Sequence, residues 1–183
     1  MKPAIRTRQS ERIRKMVLAS MLSAITAVLT FTPIGMIPLP PPLPSATMVH
    51  IPVLLAGMLY GPLCGASVGV LSPTLSFLIF GMPPAAKYPF MLIELIFYGL
   101  AAGLFERAFR RFDTLNLLLT TLFAQAAGRL AYAGCLWLGG KLLVGVAFPA
   151  AASVTAAVAA GLPGIVIQLV LVPAAYSALK KLR

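Results

Sequence analysis

Two ionisable residues lie within long apolar stretches of this sequence, and their types make them the first candidates for chemistry. Glu94 lies in an apolar run over residues 90–105, and Arg129 lies in another over residues 115–138. Burying either charge near the centre of a bilayer costs about 2.5–3.5 kcal/mol on insertion scales, so an intramembrane charge is by default a candidate functional residue. Two interpretations stay open: the pair lines a ligand cavity, or it forms an internal ion pair that only fixes helix packing.

Residues three or four positions apart share one face of an α-helix, and this spacing extends the candidate site. Tyr98 follows Glu94 by four positions. On the next apolar run, Gln125 precedes Arg129 by four positions and Tyr132 follows it by three. Together with a histidine at the start of an earlier apolar run, the candidate substrate-binding residues are His50, Glu94, Tyr98, Gln125, Arg129 and Tyr132.

The basic residues near this site bear on the charge of its ligand. We place His50 on the same side of the membrane as Glu94 and Arg129, where it either contacts the ligand or only begins a helix at the interface. Lys87 and Lys141, on that side too, are interpreted as interfacial anchors. Because basic residues outnumber Glu94 here, we expect a ligand with a carboxylate or another acidic group. Arginine can hold a carboxylate through two parallel hydrogen bonds. A cationic ligand is the alternative if Glu94 dominates.

Ala19, Ser23 and Ala27 form a ladder of small side chains at four-residue spacing in the first apolar run. On a helix this spacing produces one smooth strip, which lets another helix approach closely. The approaching helix belongs either to this chain or to a partner protein, and the spacing alone does not decide between them.

The residues available for catalysis are few. The sequence contains no GxxxxGK[ST] loop for nucleotide phosphates and no HExxH zinc motif. The sequence contains four acidic residues in total, which leaves few carboxylates for acid–base or two-metal catalysis. Cys64 and Cys135 are predicted near opposite membrane faces, so we interpret them as packing residues and not as a disulfide or a metal site. We therefore predict no catalytic residues, no metal and no cofactor.

The composition indicates that lipid surrounds most of the chain. Of 183 residues, 60% are apolar and 10% are charged, and the mean hydropathy is +0.94. Soluble domains carry about 25% charged residues. At about 20 residues per span, the length accommodates six spans with their loops, which predicts a single transmembrane domain over residues 1–183. The first run has the length of a signal peptide, but because further apolar runs follow we interpret it as a retained span.

The positions of the basic residues predict the topology. A net charge of +11 would suggest a nucleic-acid partner for a soluble protein. Here the basic residues cluster within 1–15, 107–111 and 180–183, and apolar runs separate the clusters. Such flanks determine topology and contact anionic lipid, with the positive residues on the cytoplasmic side. This pattern predicts six spans with both termini inside, and no nucleic-acid partner.

The predicted fold class is an all-α, integral membrane six-helix bundle with cytoplasmic N- and C-termini. A basic cytoplasmic segment, 1–15, comes first. Prolines make residues 33–47 a stiff, extended outer loop, and residues 139–160 form an outer loop or a helix lying against the outer face. The predicted spans cover about 16–32, 48–61, 63–80, 90–105, 115–138 and 161–178.

Taken together and in this order, several stretches resemble the S components of energy-coupling factor (ECF) transporters, the substrate-capturing subunits of bacterial vitamin importers. The resemblance covers nearly the whole chain, although Ser23 stands where alanine is common in that family. It rests on the basic N-terminus, the small-residue ladder, TMVHIPVLLAGMLYGP over residues 47–62, ELIFYGLAAG over 94–103, AGR over 127–129 and GLPGI over 161–165.

The resemblance implies a six-helix fold in a bacterial-type cytoplasmic membrane, with a vitamin site in the outer half beneath the loop between the first two spans. It also implies that the first span docks, through its small-residue ladder, to a transmembrane coupling subunit that carries two ATPase subunits. Those partners would hydrolyse ATP, so this chain would not need a nucleotide-binding loop of its own.

Three functional hypotheses follow. The leading one is a subunit that binds a small water-soluble vitamin, and the basic residues favour a carboxylate vitamin such as niacin or pantothenate. The second is a stand-alone small-solute channel or secondary carrier. A carrier usually has internal repeats and membrane carboxylates, and one carboxylate is thin support for it. The third is a membrane-assembly protein without a ligand.

Overall fold

The computed structural model describes residues 2–38, 46–110, 115–142 and 151–181. These residues form six α-helices and one short antiparallel hairpin, which confirms the predicted all-α six-helix fold. The helices are α1 Lys2–Phe31, α2 Ile51–Tyr60, α3 Pro62–Phe80, α4 Tyr88–Phe109, α5 Leu115–Leu142 and α6 Ala151–Lys181. The strands are β1 Met36–Ile37 and β2 Ala46–Thr47, which follow a 3-10 turn at Pro33–Gly35.

Four segments of the described helices are long and apolar enough to cross a membrane, judged by length and composition. α5 is longer, with 28 residues, but polar residues such as Asn116 and Arg129 lower its hydropathy and it is not among the four. The four segments are Gln9–Phe31, Pro62–Phe80, Tyr88–Phe109 and Gly161–Lys181.

α2 is shorter than the span predicted over residues 48–61. Its ten residues extend about 15 Å, half of the roughly 30 Å hydrocarbon layer. Every residue from Pro52 to Leu59 is buried, which fits a helix that is apolar on all sides. Gly61, with φ of 98°, then reverses the chain directly into α3. α2 is therefore a core helix around which the longer helices pack.

Glycines bring α2, α3 and α4 into direct backbone contact. A Cβ on Gly65 of α3 would overlap the carbonyl of Gly99 on α4, and so would a Cβ on Gly57 of α2. Further along, Gly69 lies against the backbone of Leu95. This close α3–α4 contact fixes the backbone beside Glu94.

Four helices extend well beyond the predicted spans, and one of them is α4, which begins two residues earlier and ends four residues later than predicted. α1 begins at Lys2, so the basic N-terminal segment is part of the helix. α5 continues through Gly139 and Gly140, because each glycine weakens a helix by only about 1 kcal/mol. α6 begins at Ala151 and includes Pro163, which membrane helices tolerate when neighbouring groups satisfy the freed backbone atoms. Residues 143–150 of the predicted outer segment lie outside the described residues.

Candidate ligand site

Glu94 is the centre of a buried polar cluster between α4 and α5. Its Oε1 accepts a hydrogen bond from the Tyr98 hydroxyl at 3.0 Å and lies 3.1 Å from Nη1 of Arg129. Glu94 and Tyr98 lie one turn apart on α4, and Arg129 reaches across from α5. The structure thus joins the two intramembrane charges in one ion pair, which fits both interpretations of the pair.

Burial makes this pair costly to disrupt. The side chain of Glu94 is 6% exposed and that of Arg129 is 17% exposed. Removing one partner of a buried pair leaves an uncompensated charge, which typically costs about 3–5 kcal/mol. The residual exposure of Arg129 leaves part of its side chain accessible from the surface of the bundle.

Tyr98 is held from two sides. The His50 ring meets it edge-on, with the ring centroids 5.0 Å apart, and both side chains are buried. On α5, Gly128 leaves space for the ring, because a Cβ at that position would overlap Cδ1 and Cε1 of Tyr98. His50 therefore contacts the cluster through Tyr98. This contact helps to position the Tyr98 phenol against Glu94.

Gln125 connects the cluster to α6. Its Nε2 donates to Oε1 of Gln168 at 3.2 Å, and both side chains are buried. The Oε1 of Gln125 is buried without a hydrogen-bond partner, and so is Nε of Arg129 one turn further along α5. Gln168 is a member of this cluster that sequence reasoning missed, although a lone amide within the last apolar run was a usable signal.

The other predicted residues lie at the edge of the cluster or apart from it. Tyr132 is half-buried and packs edge-on against Phe90, with centroids 6.3 Å apart. Lys87 is exposed at the start of α4, away from the ion pair. The side chain of Lys141 lies outside the described part of the chain.

The cluster lies between the middle of the bundle and the end that carries β1 and β2, here named the hairpin end. Glu94 is about 9 Å from the start of α4, and Arg129 is about 20 Å from the end of α5 that lies on the hairpin side. His50 directly precedes α2. The opposite end, here named the basic end, includes Lys15, Arg107 and the last turn of α6.

The small-residue ladder of α1 packs inside the chain. Ala19, Ser23 and Ala27 are 6%, 0% and 4% exposed, and the Ser23 hydroxyl donates to the Ala19 carbonyl at 2.8 Å. The neighbouring strip, Ser20 and Ala24, is exposed. In this structure the ladder is buried within the chain, and a second strip of small residues faces outward.

A second polar cluster, unforeseen in the sequence, lies at the basic end. The carboxylate of Glu106 is 3.0 Å from Nη2 of Arg110 and accepts a hydrogen bond from the Tyr176 hydroxyl at 3.3 Å. The bond to Glu106 raises the pKa of the exposed Arg110 guanidinium. Beside them, the Thr120 hydroxyl donates to Oδ1 of Asn116 at 3.1 Å. Glu106 falls just after the span predicted over residues 90–105, whereas in the structure it is buried in the last turn of α4.

Neither a nucleophile nor a metal centre emerges from the described residues. Residues 65–69, GASVG, match the GxSxG pattern of serine hydrolases, but that pattern acts only at a strand-to-helix turn. Here Ser67 lies inside α3 and donates to the carbonyls of Leu63 and Cys64. Across the four described ranges, no group of three His, Cys, Asp or Glu side chains could hold a metal ion.

Fold and cluster together define a membrane protein with a polar site inside a helix bundle. The family model for the substrate-specific component of ECF transporters matches residues 14–176. The chain therefore belongs to this family of substrate-binding membrane subunits, which associate with an ECF module and are not themselves enzymes.

A solved structure has the same fold. It is described as the S component of a bacterial ECF transporter, and it matches with a TM-score of 0.56 and 23% sequence identity. The match covers 93% of this chain and 95% of that chain. A comparison with curated proteins finds no match.

Proposed function

We propose that this chain captures a small water-soluble vitamin, or a related micronutrient, for an ATP-driven importer of the ECF type. Family membership supports the general role. One observation supports the site: Nε of Arg129 and Oε1 of Gln125 are buried polar atoms without a hydrogen-bond partner. Buried polar atoms in proteins normally form hydrogen bonds. A donor and an acceptor without partners beside one ion pair therefore suggest that a ligand forms these hydrogen bonds.

The two atoms suggest a chemical class of ligand. Arginine binds a carboxylate through two parallel N–H groups. Glu94 faces Nη1, which leaves the donor at Nε for an oxygen of the ligand. One turn away, about 5–6 Å between Cβ atoms, Gln125 offers an acceptor. We therefore favour a ligand with a carboxylate and, a short distance from it, a hydrogen-bond donor.

The proposed partners are a transmembrane coupling subunit and two ATPase subunits in the cytoplasmic membrane of a bacterium. We propose that α1 is the docking helix. Since Ala19 and Ser23 are buried in the isolated chain, the strip formed by Ser20 and Ala24 is the surface open to a partner helix. Small side chains let two helices approach closely. Because no hydrophobic effect drives helices together within lipid, their association depends on such close packing.

The test is uptake by vesicles that contain the purified chain, alone or together with a coupling subunit and its ATPases. Radiolabelled niacin and pantothenate are the acidic probes, and thiamine is the cationic comparison. We expect the chain alone to bind an acidic probe without accumulating it, and the complete assembly to accumulate it only with ATP. Accumulation by the chain alone would contradict the proposal and support the secondary-carrier hypothesis.

A further inference from the structure

A cavity of about 550 Å³ lies between α1 and α3 at the basic end, and no residue of the ligand cluster lines it. Three cations line it: Arg12 and Lys15 of α1, and Arg107 of α4. Arg12 and Lys15 are three positions apart and share one face of α1. Arg107 lies over the α2–α3 turn, where a Cβ on Gly61 would be 2.9 Å from its Nη2.

The rest of the cavity continues along the side of the bundle. Leu63, Ser67 and Leu71 repeat every four residues on one face of α3, a distance of about 12 Å along the axis. Met16 of α1 lies opposite. Leu63 is 81% exposed and Met16 is 67% exposed, so this groove opens onto the lipid-facing surface and not onto the core.

The three cations lack carboxylate partners within the described ranges. No acidic side chain there lines the cavity. Glu11, one turn before Lys15, lines a neighbouring groove together with Lys15, but the two side chains form no ion pair. The salt bridges found, Arg110–Glu106 and Arg129–Glu94, include none of the three cations. The N-terminus of α3, which begins at the cavity, adds a partial positive charge. A site with three cations and no acidic lining residue therefore adjoins an apolar groove.

We propose that this cavity binds an anionic phospholipid. The phosphate lies among Arg12, Lys15 and Arg107, and one acyl chain lies along Leu63 and Leu71. Basic pockets between membrane helices are suited to such headgroups, and the cavity is large enough for a bound small molecule. The surrounding membrane supplies this ligand, and the site shares no residue with the proposed vitamin site. It adjoins the proposed docking strip, since Ser20 also lines the cavity.

The test is native mass spectrometry of the full chain in detergent, titrated with phosphatidylglycerol or phosphatidylcholine. The variants are Arg12→Gln combined with Arg107→Gln, and Arg14→Gln as the control. Arg14 is exposed on the same helix but does not line the cavity. We expect tighter binding of phosphatidylglycerol by the parent chain. The double variant should bind phosphatidylglycerol about thirtyfold more weakly than the parent chain. Each of the two basic residues contributes about 1 kcal/mol near an anionic lipid, and about 1.4 kcal/mol corresponds to tenfold. Arg14→Gln should retain most of it.

A second variant separates a lipid site from a phosphate site. Leu71→Trp fills the apolar groove without changing the charge, and Leu71 is 40% exposed, so the fold should tolerate it. We expect it to weaken phosphatidylglycerol binding as well, while thermal unfolding without lipid stays unchanged.

Four results would overturn the proposal. The first is equal retention of phosphatidylglycerol by the parent chain and the double variant. The second is normal lipid binding by Leu71→Trp. The third is displacement of the lipid by inorganic phosphate in millimolar excess, which would identify a site for free phosphate. The fourth is a double variant that keeps the lipid but fails to assemble with the coupling subunit, which would identify a protein-docking surface.

Discussion

Gly161 of α6 packs directly against the guanidinium of Arg129 on α5, and the space between them does not admit a Cβ. Glu94 on α4 holds the same guanidinium through Nη1. Arg129 is therefore oriented from two helices other than its own. Arg129 is proposed to donate hydrogen bonds to the carboxylate of the ligand. Gly161 therefore helps to determine the direction in which the N–H groups of Arg129 point.

Gly161→Ala should weaken ligand binding about tenfold, or about 1.4 kcal/mol, because the added Cβ displaces the guanidinium. Gly134→Ala on α5 is the matched control, since its Cβ would meet no atom within 4 Å. The control should bind normally, and its stability should rise by about 0.5–1 kcal/mol because alanine favours the helix. Ligand affinity and thermal unfolding of both variants check this prediction. Equal affinities would mean that Gly161 does not position Arg129.

Arg129→Lys should also weaken binding at least tenfold, because lysine keeps the charge opposite Glu94 but cannot form the paired hydrogen bonds. The yield of folded protein should change little, since the ion pair persists. Titration of the purified variant with niacin and pantothenate measures the loss. Normal affinity for both, despite the substitution, would assign Arg129 a structural role only.

Glu94→Gln reports the charge of the ligand. For an anionic ligand the loss should be mild, because Arg129 is then released from its partner and stays available to a carboxylate. For a cationic ligand the loss should be severe. Titration of this variant and of the parent chain with niacin and with thiamine distinguishes the cases. A severe loss of niacin binding would contradict the preference for a carboxylate.

The sequence alone predicted the ion pair's helices but not everything around it. Glu94 and Arg129 stand out because charged residues are rare within the apolar runs. Tyr98 and Gln125 lie four residues from them and so share their helix faces. Gln168 and Gly161 were missed as partners, because their contacts depend on how α6 is rotated against α5. No pattern within a single helix encodes that rotation.

The first helix illustrates the same limit. Ala19 and Ser23 form one strip of small residues, and Ser20 and Ala24 form another beside it. Both strips satisfy the spacing rule for close helix packing. Which strip is buried depends on where α3 lies, and only the tertiary structure reveals it.

The docking proposal predicts different effects for two neighbouring substitutions on α1. Ala24→Leu, on the exposed strip, should block assembly with the coupling subunit while the isolated chain binds its ligand and unfolds normally. Ser23→Leu, at a fully buried position, should destabilise the isolated chain by about 1–3 kcal/mol through overpacking. Co-purification and thermal unfolding measure the two effects. Assembly that survives Ala24→Leu would exclude this strip as the docking surface.

The basic residues predict that both termini and residues 106–113 face the cytoplasm, because positive residues concentrate on that side. Single cysteines in these regions, introduced into a chain without Cys64 and Cys135, should be protected from a membrane-impermeant thiol reagent in intact cells. Cysteines within 33–47 and 139–160 should react. Labelling of a C-terminal cysteine in intact cells would contradict six spans, and with them the side assigned to the ligand site.

The central claim is that the cluster of Glu94, Arg129 and Gln125 holds a small acidic ligand, and its most direct test is mass spectrometry of the molecule that the purified chain retains. We predict one carboxylate-bearing molecule per chain, present in the parent and in Gly134→Ala but lost from Arg129→Lys. A retained cation, or the same acidic molecule at equal occupancy in Arg129→Lys, would contradict the account.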